Sequence, residues 1–233
     1  AANGAAYQVA PAVFRELGAT VTAIGVAPDG FNINLDCGST APAALQQEVL
    51  RQGADVGVAL DGDADRLVLV DAAGELVDGD EILGILALAR QATGTLGGGV
   101  VGTQMSNFGL EQAFGRAGIA FERARVGDRY VMEQLRARGW LLGGETSGHV
   151  LCLDRTTTGD GLVTALQVLS VLREQGASLA RAKRFMHKYP QRLLNVRMTP
   201  GFDPDGSAVV REAVDTAQAQ LAGRGRVLLR KSG

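Results

Sequence analysis

Apolar positions along the chain switch between helical and strand spacing, and most runs end at a glycine or a polar turn. Val9 and Val13 belong to a helical pattern that predicts a helix ending at Gly18, with Pro11 in its first turn. The apolar stretch at residues 20–27 predicts a buried strand. The chain is therefore predicted to begin with alternating helix and strand.

The same alternation continues along the chain. Further helices are predicted around Leu45 and Val49, at 81–90, 110–117, 129–138, 161–172 and 179–185, and from Ser207 onward. Further strands are predicted at 55–60, 98–103, 119–126, 140–145 and 226–230. The pattern favours an α/β protein of consecutive mixed-sheet domains.

We divide the chain into residues 1–76, 77–186 and 187–233, the last beginning with a linker that enters a new strand. The chain opens at a turn with no preceding strand, and the tail after Ser207 is too short to build its own core. We therefore expect both outer domains to be incomplete and the chain to be a piece of a longer protein.

Composition narrows the classes of partner. The 233 residues are 46% hydrophobic and 21% charged with a net charge of -2, as in ordinary globular proteins. That charge provides no basic face for nucleic acid or anionic lipid, and no apolar stretch approaches the roughly 20 residues that span a bilayer. Cys37 and Cys152 lack metal-ligand spacing and are expected to be reduced. We expect a cytoplasmic protein whose partners are small molecules.

Three aspartates follow the predicted strand at 55–60. Asp61, Asp63 and Asp65 alternate along the chain, so in an extended segment their carboxylates converge and need a cation. Hard ions such as Mg²⁺ prefer oxygen ligands, and Arg66 directly behind the aspartates suits a phosphoryl oxygen lying against such an ion. Metal and arginine together favour phosphoryl transfer.

The aspartates have other interpretations. An EF-hand is rejected, because its sixth and twelfth loop positions need glycine and glutamate, where this chain has Arg66 and Ala72. A phosphatase that forms an aspartyl phosphate also has two aspartates at alternate positions after a strand, so this alternative stays open. A polar turn between two strands without any ion stays open as well.

A second polar cluster follows the predicted strand at 140–145. Glu145, Ser147 and His149 alternate between glycines, so a carboxylate, a hydroxyl and an imidazole can face sugar hydroxyls. A glycine-rich turn with a structurally satisfied histidine is the alternative. Asp128 is a candidate N-cap, and Arg129 in the first turn of the next helix opposes the helix dipole, which suggests that it serves a ligand.

Two further polar groups lie outside these clusters. Asp78 and Asp80 precede an apolar helix and are explained by capping, so they are left out of the site. Arg230 and Ser232 near the C-terminus suit a phosphate, although a frayed basic tail is a simpler explanation.

Taken together, these motifs resemble the α-D-phosphohexomutase family. The resemblance rests on ANGAAY, DGDADR, VGDRYV, GGETSGH, TTTGDG and RKSG, which occur in the family's order across essentially the whole chain. It implies a four-domain parent of which this chain is most of the second domain, the third, and the start of the fourth. It also implies an isomerase that moves phosphate between O6 and O1 of a hexose phosphate through a phosphoserine and a bisphosphate.

The resemblance implies roles for individual residues. Asp61, Asp63 and Asp65 would hold Mg²⁺, and the catalytic pair would be Arg66 near the phosphoryl group and His149 near the reacting sugar. Substrate-binding roles are implied for Arg129, Glu145, Ser147, Arg230 and Ser232. Glucosamine 6-phosphate, converted to glucosamine 1-phosphate, is the expected substrate, with mannose or glucose phosphate as the alternative. A homo-oligomer of the parent is compatible with all of this.

Two departures from the family pattern matter. Ala64 stands where the family usually has glycine, and the ligands stay in place if the backbone there does not need a positive φ. The family's nucleophilic serine motif does not occur in this sequence. The chain alone is therefore expected to be an inactive module that binds metal and sugar phosphate.

Overall fold

The computed structural model describes residues 1–199 and 201–230. Its helices are α1 Val9–Glu16, α2 Ala43–Gln52, α3 Gly79–Ala92, α4 Phe108–Ala117, α5 Asp128–Arg138, α6 Gly161–Gln175, α7 Leu179–Ala182 and α8 Ala208–Leu221, and α7 continues into a 3₁₀ turn at Lys183–Phe185. Its strands are β1 Val56–Leu60, β2 Leu67–Asp71, β3 Leu76–Val77, β4 Gly99–Thr103, β5 Ala120–Ala124, β6 Leu142–Gly144 and β7 Val150–Cys152. The predicted α/β class is confirmed.

The strands form two sheets. The first is an antiparallel sheet in the order β1-β2-β3, and the second has the order β5-β4-β6-β7. In the second sheet β4 is parallel to both β5 and β6, while β6 and β7 form an antiparallel hairpin. In the second sheet α4 and α5 alternate with β4, β5 and β6, in the way the sequence pattern predicts, whereas β1, β2 and β3 of the first sheet follow one another without a helix between them.

One continuous core joins the two sheets. Leu67 and Leu69 of β2, Leu83 of α3 and Leu142 of β6 belong to the same buried cluster. A smaller cluster packs α5 against the other face of the second sheet through Val131 and Leu135. The β1-β2 hairpin is thus fixed against the second sheet by apolar burial, which provides about 25 cal/mol per Å² of apolar surface.

Two predicted strands are wrong. Residues 20–27 and 226–230 are not strands in the described structure, although both are apolar. A strand needs a neighbouring strand to bond its backbone. The 20–27 segment instead accepts bonds from the N-terminal turn, where the amino group of Ala1 donates to the Ile24 carbonyl and Asn3 N donates to the Gly25 carbonyl. Residues 190–199, predicted as a linker into a strand, are likewise not in a strand.

Within the described ranges, no helix combines the length and the apolar character needed to cross a membrane. Both cysteines are free thiols, with Cys152 buried and Cys37 half-buried.

Candidate active site

The three aspartates lie in the turn between β1 and β2, residues 61–66, which we call the aspartate loop. Leu60 and Leu67 are the last paired residues of the hairpin, so the loop closes it directly. Asp61, Asp63 and Asp65 each place a carboxylate oxygen within 4.8 Å of the others. Within the described ranges, this is the one group of three acidic, histidine or cysteine side chains that could hold a metal ion. The predicted convergence is confirmed.

Charge in the aspartate loop is only partly balanced by the protein. Asp61 is fully buried, and its oxygens accept from Arg66 Nε at 2.5 Å and from Arg66 N at 3.1 Å. Burial raises the pKa of the Asp65 carboxyl, and the charge of Asp61 raises it further. Asp65 Oδ1 is buried without a hydrogen-bond partner among the described residues. A hard cation would complete this set of oxygen atoms, so the residues fit such an ion.

The geometry bears on the aspartyl-phosphatase alternative. A nucleophilic carboxylate must expose an oxygen to the phosphoryl donor. Asp61 has no exposed surface, and Arg66 occupies both of its oxygens. The structure therefore favours Asp61 as a fixed anionic group rather than as a nucleophile.

Ala64 has a left-handed backbone. Its φ is +65°, so the condition under which alanine was expected to replace glycine without consequence is not met. A left-handed residue with a Cβ is disfavoured by roughly 1–2 kcal/mol. Ala64 nevertheless holds position, because its carbonyl accepts from Gly161 N at 2.8 Å and its own N donates to the Asp61 carbonyl. The conformation of the aspartate loop therefore includes backbone strain at Ala64.

Segments distant in sequence support the aspartate loop from the other side. Ala5 N donates to the Gly62 carbonyl at 2.8 Å, and a Cβ on Gly4 would come within 2.1 Å of that carbonyl oxygen. Ser39 N donates to the Leu60 carbonyl at 3.0 Å. The N-terminal ANGAAY motif therefore packs on the loop, a role that its sequence alone does not reveal.

The second polar cluster forms the turn between β6 and β7, residues 145–149, which we call the glycine loop. Gly148 N donates to the Glu145 carbonyl, and Glu145 N donates to the His149 carbonyl. Ser147 is exposed at the tip, and Glu145 is half-buried with its Oε1 accepting from Gly127 N at 2.9 Å. The Ser147 hydroxyl and Glu145 Oε2 have no hydrogen bond to another group of the described residues.

The two loops are bonded to each other. Leu67 N donates to the Gly148 carbonyl at 3.1 Å, and a Cβ on Gly148 would lie 2.0 Å from the Leu67 carbonyl oxygen. Arg66 and His149 form an isolated antiparallel bridge. His149 is 5% exposed, and its Nδ1 lies 3.0 Å from Asp65 Oδ2. The aspartate loop and the glycine loop are therefore joined by both backbone and side-chain contacts.

His149 is buried beside the aspartate loop. Its ring is packed under the aspartate loop against Gly159, and its Nε2 has no partner among the described residues. This geometry favours a role in orienting Asp65. Contact between His149 and a sugar stays a prediction.

The start of α5 reaches the glycine loop through its backbone. The predicted N-cap at Asp128 is wrong, because Gly127 with φ +124° precedes the helix and Asp128 is its first residue. Gly127 brings this helix start to Glu145. The Arg129 side chain pairs with Glu133 one turn along the helix at 2.9 Å and is 79% exposed. Its contact with substrate stays a prediction.

The C-terminal candidates are less closely placed. Arg230 is exposed, and no hydrogen bond or ion pair found in the described ranges joins it to either loop. Ser232 lies outside the described residues. Both assignments stay predictions.

Asp78 and Asp80 divide between two roles. Asp78 caps α3 as predicted, because its side chain accepts from the backbone N of Asp80 and of Glu81. In turn, the Glu81 side chain accepts a hydrogen bond from Asp78 N. The capping interpretation is wrong for Asp80, which is fully buried and accepts from Asn107 N and from Thr146 Oγ1 in the glycine loop. Asp80 therefore belongs to the surroundings of the site.

Two domain models of one protein family match most of the chain. Residues 1–74 match the model of phosphoglucomutase/phosphomannomutase alpha/beta/alpha domain II, and residues 78–189 match that of domain III. The chain is 62% identical to a phosphoglucosamine mutase of Thioalkalivibrio sulfidiphilus over all of its own length and 52% of that protein. It thus spans about half the length of the curated relatives it matches.

Solved structures share the fold. An N-acetylglucosamine-phosphate mutase in its apo form, of the α-D-phosphohexomutase superfamily, matches all of this chain and 55% of its own with a TM-score of 0.78 at 20% identity. An N-acetylphosphoglucosamine mutase of Aspergillus fumigatus, solved with GlcNAc-6P and magnesium, matches 84% of this chain and 50% of its own with a TM-score of 0.63 at 18% identity. With two adjacent domain models matched in order, this chain belongs to the phosphoglucomutase/phosphomannomutase family of α-D-phosphohexomutases.

Proposed function

We propose that a full-length protein containing this chain converts glucosamine 6-phosphate into glucosamine 1-phosphate, through a phosphoserine and a bisphosphate. The observation that carries the proposal is the direct bonding of the aspartate loop to the glycine loop, by Leu67 N to the Gly148 carbonyl and His149 to Asp65. It puts a cation-binding set of oxygens beside groups suited to sugar hydroxyls. The choice of glucosamine rests on the 62% identity to a phosphoglucosamine mutase.

We assign roles to the charged side chains of the aspartate loop and to His149. Asp61, Asp63 and Asp65 hold Mg²⁺, which when bound supplies positive charge that stabilises the transferred phosphoryl group. Arg66 uses its Nε on Asp61 and is 40% exposed, which leaves its terminal nitrogens for a phosphoryl oxygen. His149 holds Asp65 in orientation.

Substrate contacts are assigned more broadly. Glu145 and Ser147 receive the sugar hydroxyls, and Arg129 contacts the substrate from the start of α5. Arg230 and Ser232 contact the substrate phosphate. The division into residues 1–76, 77–186 and 187–233 belongs to the same proposal, supported by the separate strand pairing of the two sheets.

Location and assembly complete the proposal. A cytoplasmic location is supported by the two free cysteines, since thiols persist where the medium is reducing. A homo-oligomer of the full-length protein is an expectation that size-exclusion chromatography with light scattering would test. The present chain alone is expected to bind ligand without turnover.

The test uses the Asp63→Asn variant of the full-length protein. Asp63 is exposed in the aspartate loop, so the change removes one charged ligand without emptying the core. We expect Mg²⁺ to raise the melting temperature of the wild type and to act on the variant only at roughly tenfold or more higher concentration. Activity with glucosamine 6-phosphate should fall in parallel.

A matched control separates ligand loss from charge loss. Asp55→Asn makes the same change at the exposed residue that precedes β1, at the other end of the strand, and should leave the Mg²⁺ response unchanged. An identical Mg²⁺ response in the Asp63 variant and the wild type would remove the metal assignment. A higher kcat/KM of the wild type for mannose or glucose phosphates would overturn the substrate choice.

A further inference from the structure

The first turn of α3 is bonded directly to the glycine loop. Asp80 Oδ2 accepts from Thr146 Oγ1 at 2.9 Å, and Gly79 N donates to the Thr146 carbonyl at 3.1 Å. A Cβ on Gly79 would come within 1.9 Å of the Glu145 carbonyl oxygen, so the helix and the loop are in contact at backbone distance. Thr146 is thus held at both ends, between Glu145 and Ser147.

The same carboxylate is bonded to the start of α4. Asn107 N donates to Asp80 Oδ2 at 2.7 Å, so one oxygen serves two elements. The Asn107 side chain then accepts from Tyr189 N at 3.0 Å and donates to the Tyr189 carbonyl at 2.8 Å. A continuous series of hydrogen bonds therefore runs from Thr146 through Asp80 and Asn107 to Tyr189.

Tyr189 is held against α4, shortly before the exposed C-terminal segment begins. Its hydroxyl donates to Gln112, and its ring lies edge-on against Phe108 with the centroids 5.4 Å apart. The preceding Lys188 pairs with Asp78 and Glu81 at the same helix start. The exposed residues 191–199 come soon after it in the chain. The series of bonds thus joins the glycine loop to the point where the C-terminal segment departs.

Helix formation does not account for Asp80. The capping box of α3 is complete with Asp78 and Glu81. Burial raises the pKa of Asp80 to about 6, and the charge of Asp78 adds to the effect, so an ionised carboxylate is unfavourable at this place. Asp80 Oδ1 is buried without a hydrogen-bond partner among the described residues. What the carboxylate does provide is a single acceptor for both Thr146 and Asn107.

We propose that Asp80 is a positioning residue, which fixes Thr146 so that Glu145 and Ser147 on either side face the hydroxyls of the sugar ring. Through Asn107, Asp80 also connects the glycine loop to Tyr189 by hydrogen bonds. The role of the loop in binding sugar rests on the proposed function, whereas the bonds that hold the loop do not. The two parts can be measured separately.

The decisive comparison is Thr146→Val against Thr146→Ser in the full-length protein. Valine keeps the shape and loses the hydroxyl, while serine keeps the hydroxyl. The net contribution of a buried hydrogen bond is about 1 kcal/mol, so its loss should speed hydrogen exchange of the glycine-loop amides several-fold to about tenfold. We expect the KM for glucosamine 6-phosphate to rise about tenfold in the valine variant with kcat within about threefold, and the serine variant to stay near the wild type.

Asp80→Asn provides the partner measurement, and Asp71→Asn is its control. Asp71 is also a buried carboxylate that accepts backbone N–H groups, but it is the last residue of β2 and pairs with Lys183. We expect Asp80→Asn to speed exchange both in the glycine loop and near Tyr189. Asp71→Asn should lower stability without that pattern.

The outcomes are distinct. Equal exchange rates in the valine and serine variants, or the same exchange pattern in the Asp71 variant, would overturn the positioning role. A wild-type protein without mutase activity would refute the proposed function, and exchange would still decide whether Asp80 holds the loop. Faster loop exchange in the valine variant with unchanged KM would show that the loop is held but does not bind the sugar, against the proposal.

Discussion

Two Asp-Gly-Asp triplets lie on either side of the β2-β3 hairpin, and the same three letters have opposite roles. Asp61 and Asp63 belong to a turn between strands, where carboxylates converge within 4.8 Å and Oδ1 of the neighbouring Asp65 has an ion-pair contact with Arg66 at 3.5 Å but no hydrogen bond among the described residues. Asp78 and Asp80 begin a helix, where the first accepts backbone N–H groups and the second is buried under another loop. The backbone conformation after each triplet makes the difference.

The conformation of the chain beyond each triplet decides where the charge goes. Beyond Asp63 the chain turns at left-handed Ala64 and returns as a strand, and this turn keeps the carboxylate of Asp65 close to those of Asp61 and Asp63. Beyond Asp80 the chain continues as a helix, whose unpaired N–H groups satisfy Asp78. The first triplet therefore gathers carboxylates whose negative charge a cation can neutralise. In the second triplet, backbone N–H groups of the protein bond to the carboxylate.

The largest expected effect concerns the buried member of the helical triplet. The folded pKa of Asp80 is about 6, above its ordinary value of 3.8, so the folded chain binds the proton more tightly and loses stability as pH rises from about 4 to 6. The Asp80→Asn variant lacks this loss. Its unfolding free energy relative to the wild type should rise by about 2 kcal/mol between pH 4 and pH 7, as measured by urea denaturation.

Asp71→Asn is the matched control for that pH series. Burial opposes ionisation of Asp71, but bonds from Lys183 and from backbone N–H groups outweigh it and lower the pKa. Asp71 therefore stabilises the wild type above about pH 4 and loses that effect as pH falls, the opposite sign. If the difference in unfolding free energy between the Asp80 variant and the wild type does not change with pH, burial does not raise the pKa of Asp80.

A smaller effect is expected at the cap. Asp78→Ala removes an N-cap that accepts from two backbone N–H groups, which should lower the unfolding free energy by about 1–2 kcal/mol in urea denaturation. Asp78→Ser keeps a capping oxygen without the charge and should recover most of the loss. Equal destabilisation by alanine and serine would assign the effect to the Lys188 pair instead.

The smallest effect belongs to the strand-turn triplet. Ala64→Gly relieves a left-handed alanine and should raise the unfolding free energy by up to about 1 kcal/mol, because the strain removed exceeds the added freedom of the unfolded chain. Ala117→Gly is the control, since Ala117 also packs at the edge of the core but ends the ordinary helix α4. It should lower stability by about 0.5–1 kcal/mol. Loss of stability in both variants would mean that Ala64 is not strained.

Local pattern was sufficient for most of the secondary structure. The helices that end at Gly118, Gly139 and Gly176 stop where a glycine adopts a left-handed backbone, a signal visible in the sequence. The wrong strands at 20–27 and 226–230 have the right apolar composition but pair with no strand in the described structure, which composition does not encode. Asp128 failed as a cap because the helix begins one residue earlier in its geometry than the polar pattern suggests.

The site shows the same boundary between local and distant information. Convergence of Asp61, Asp63 and Asp65 follows from alternation along a single loop, so it was predictable. The contact of His149 with Asp65 and that of Thr146 with Asp80 join residues far apart in sequence, so only the packed structure reveals them. Spacing identified which residues matter, and packing determined what each one touches.

The bond between Leu67 N and the Gly148 carbonyl has a thermodynamic consequence. It joins the loop proposed to hold the cation to the loop proposed to bind the sugar, so a change in the geometry of one loop is expected to affect the other. Any ligand that orders one surface changes the work needed to order the other, and linkage requires that influence to be equal in both directions. The affinity for cation and the affinity for sugar phosphate should therefore be one joint property, measurable as a single coupling free energy.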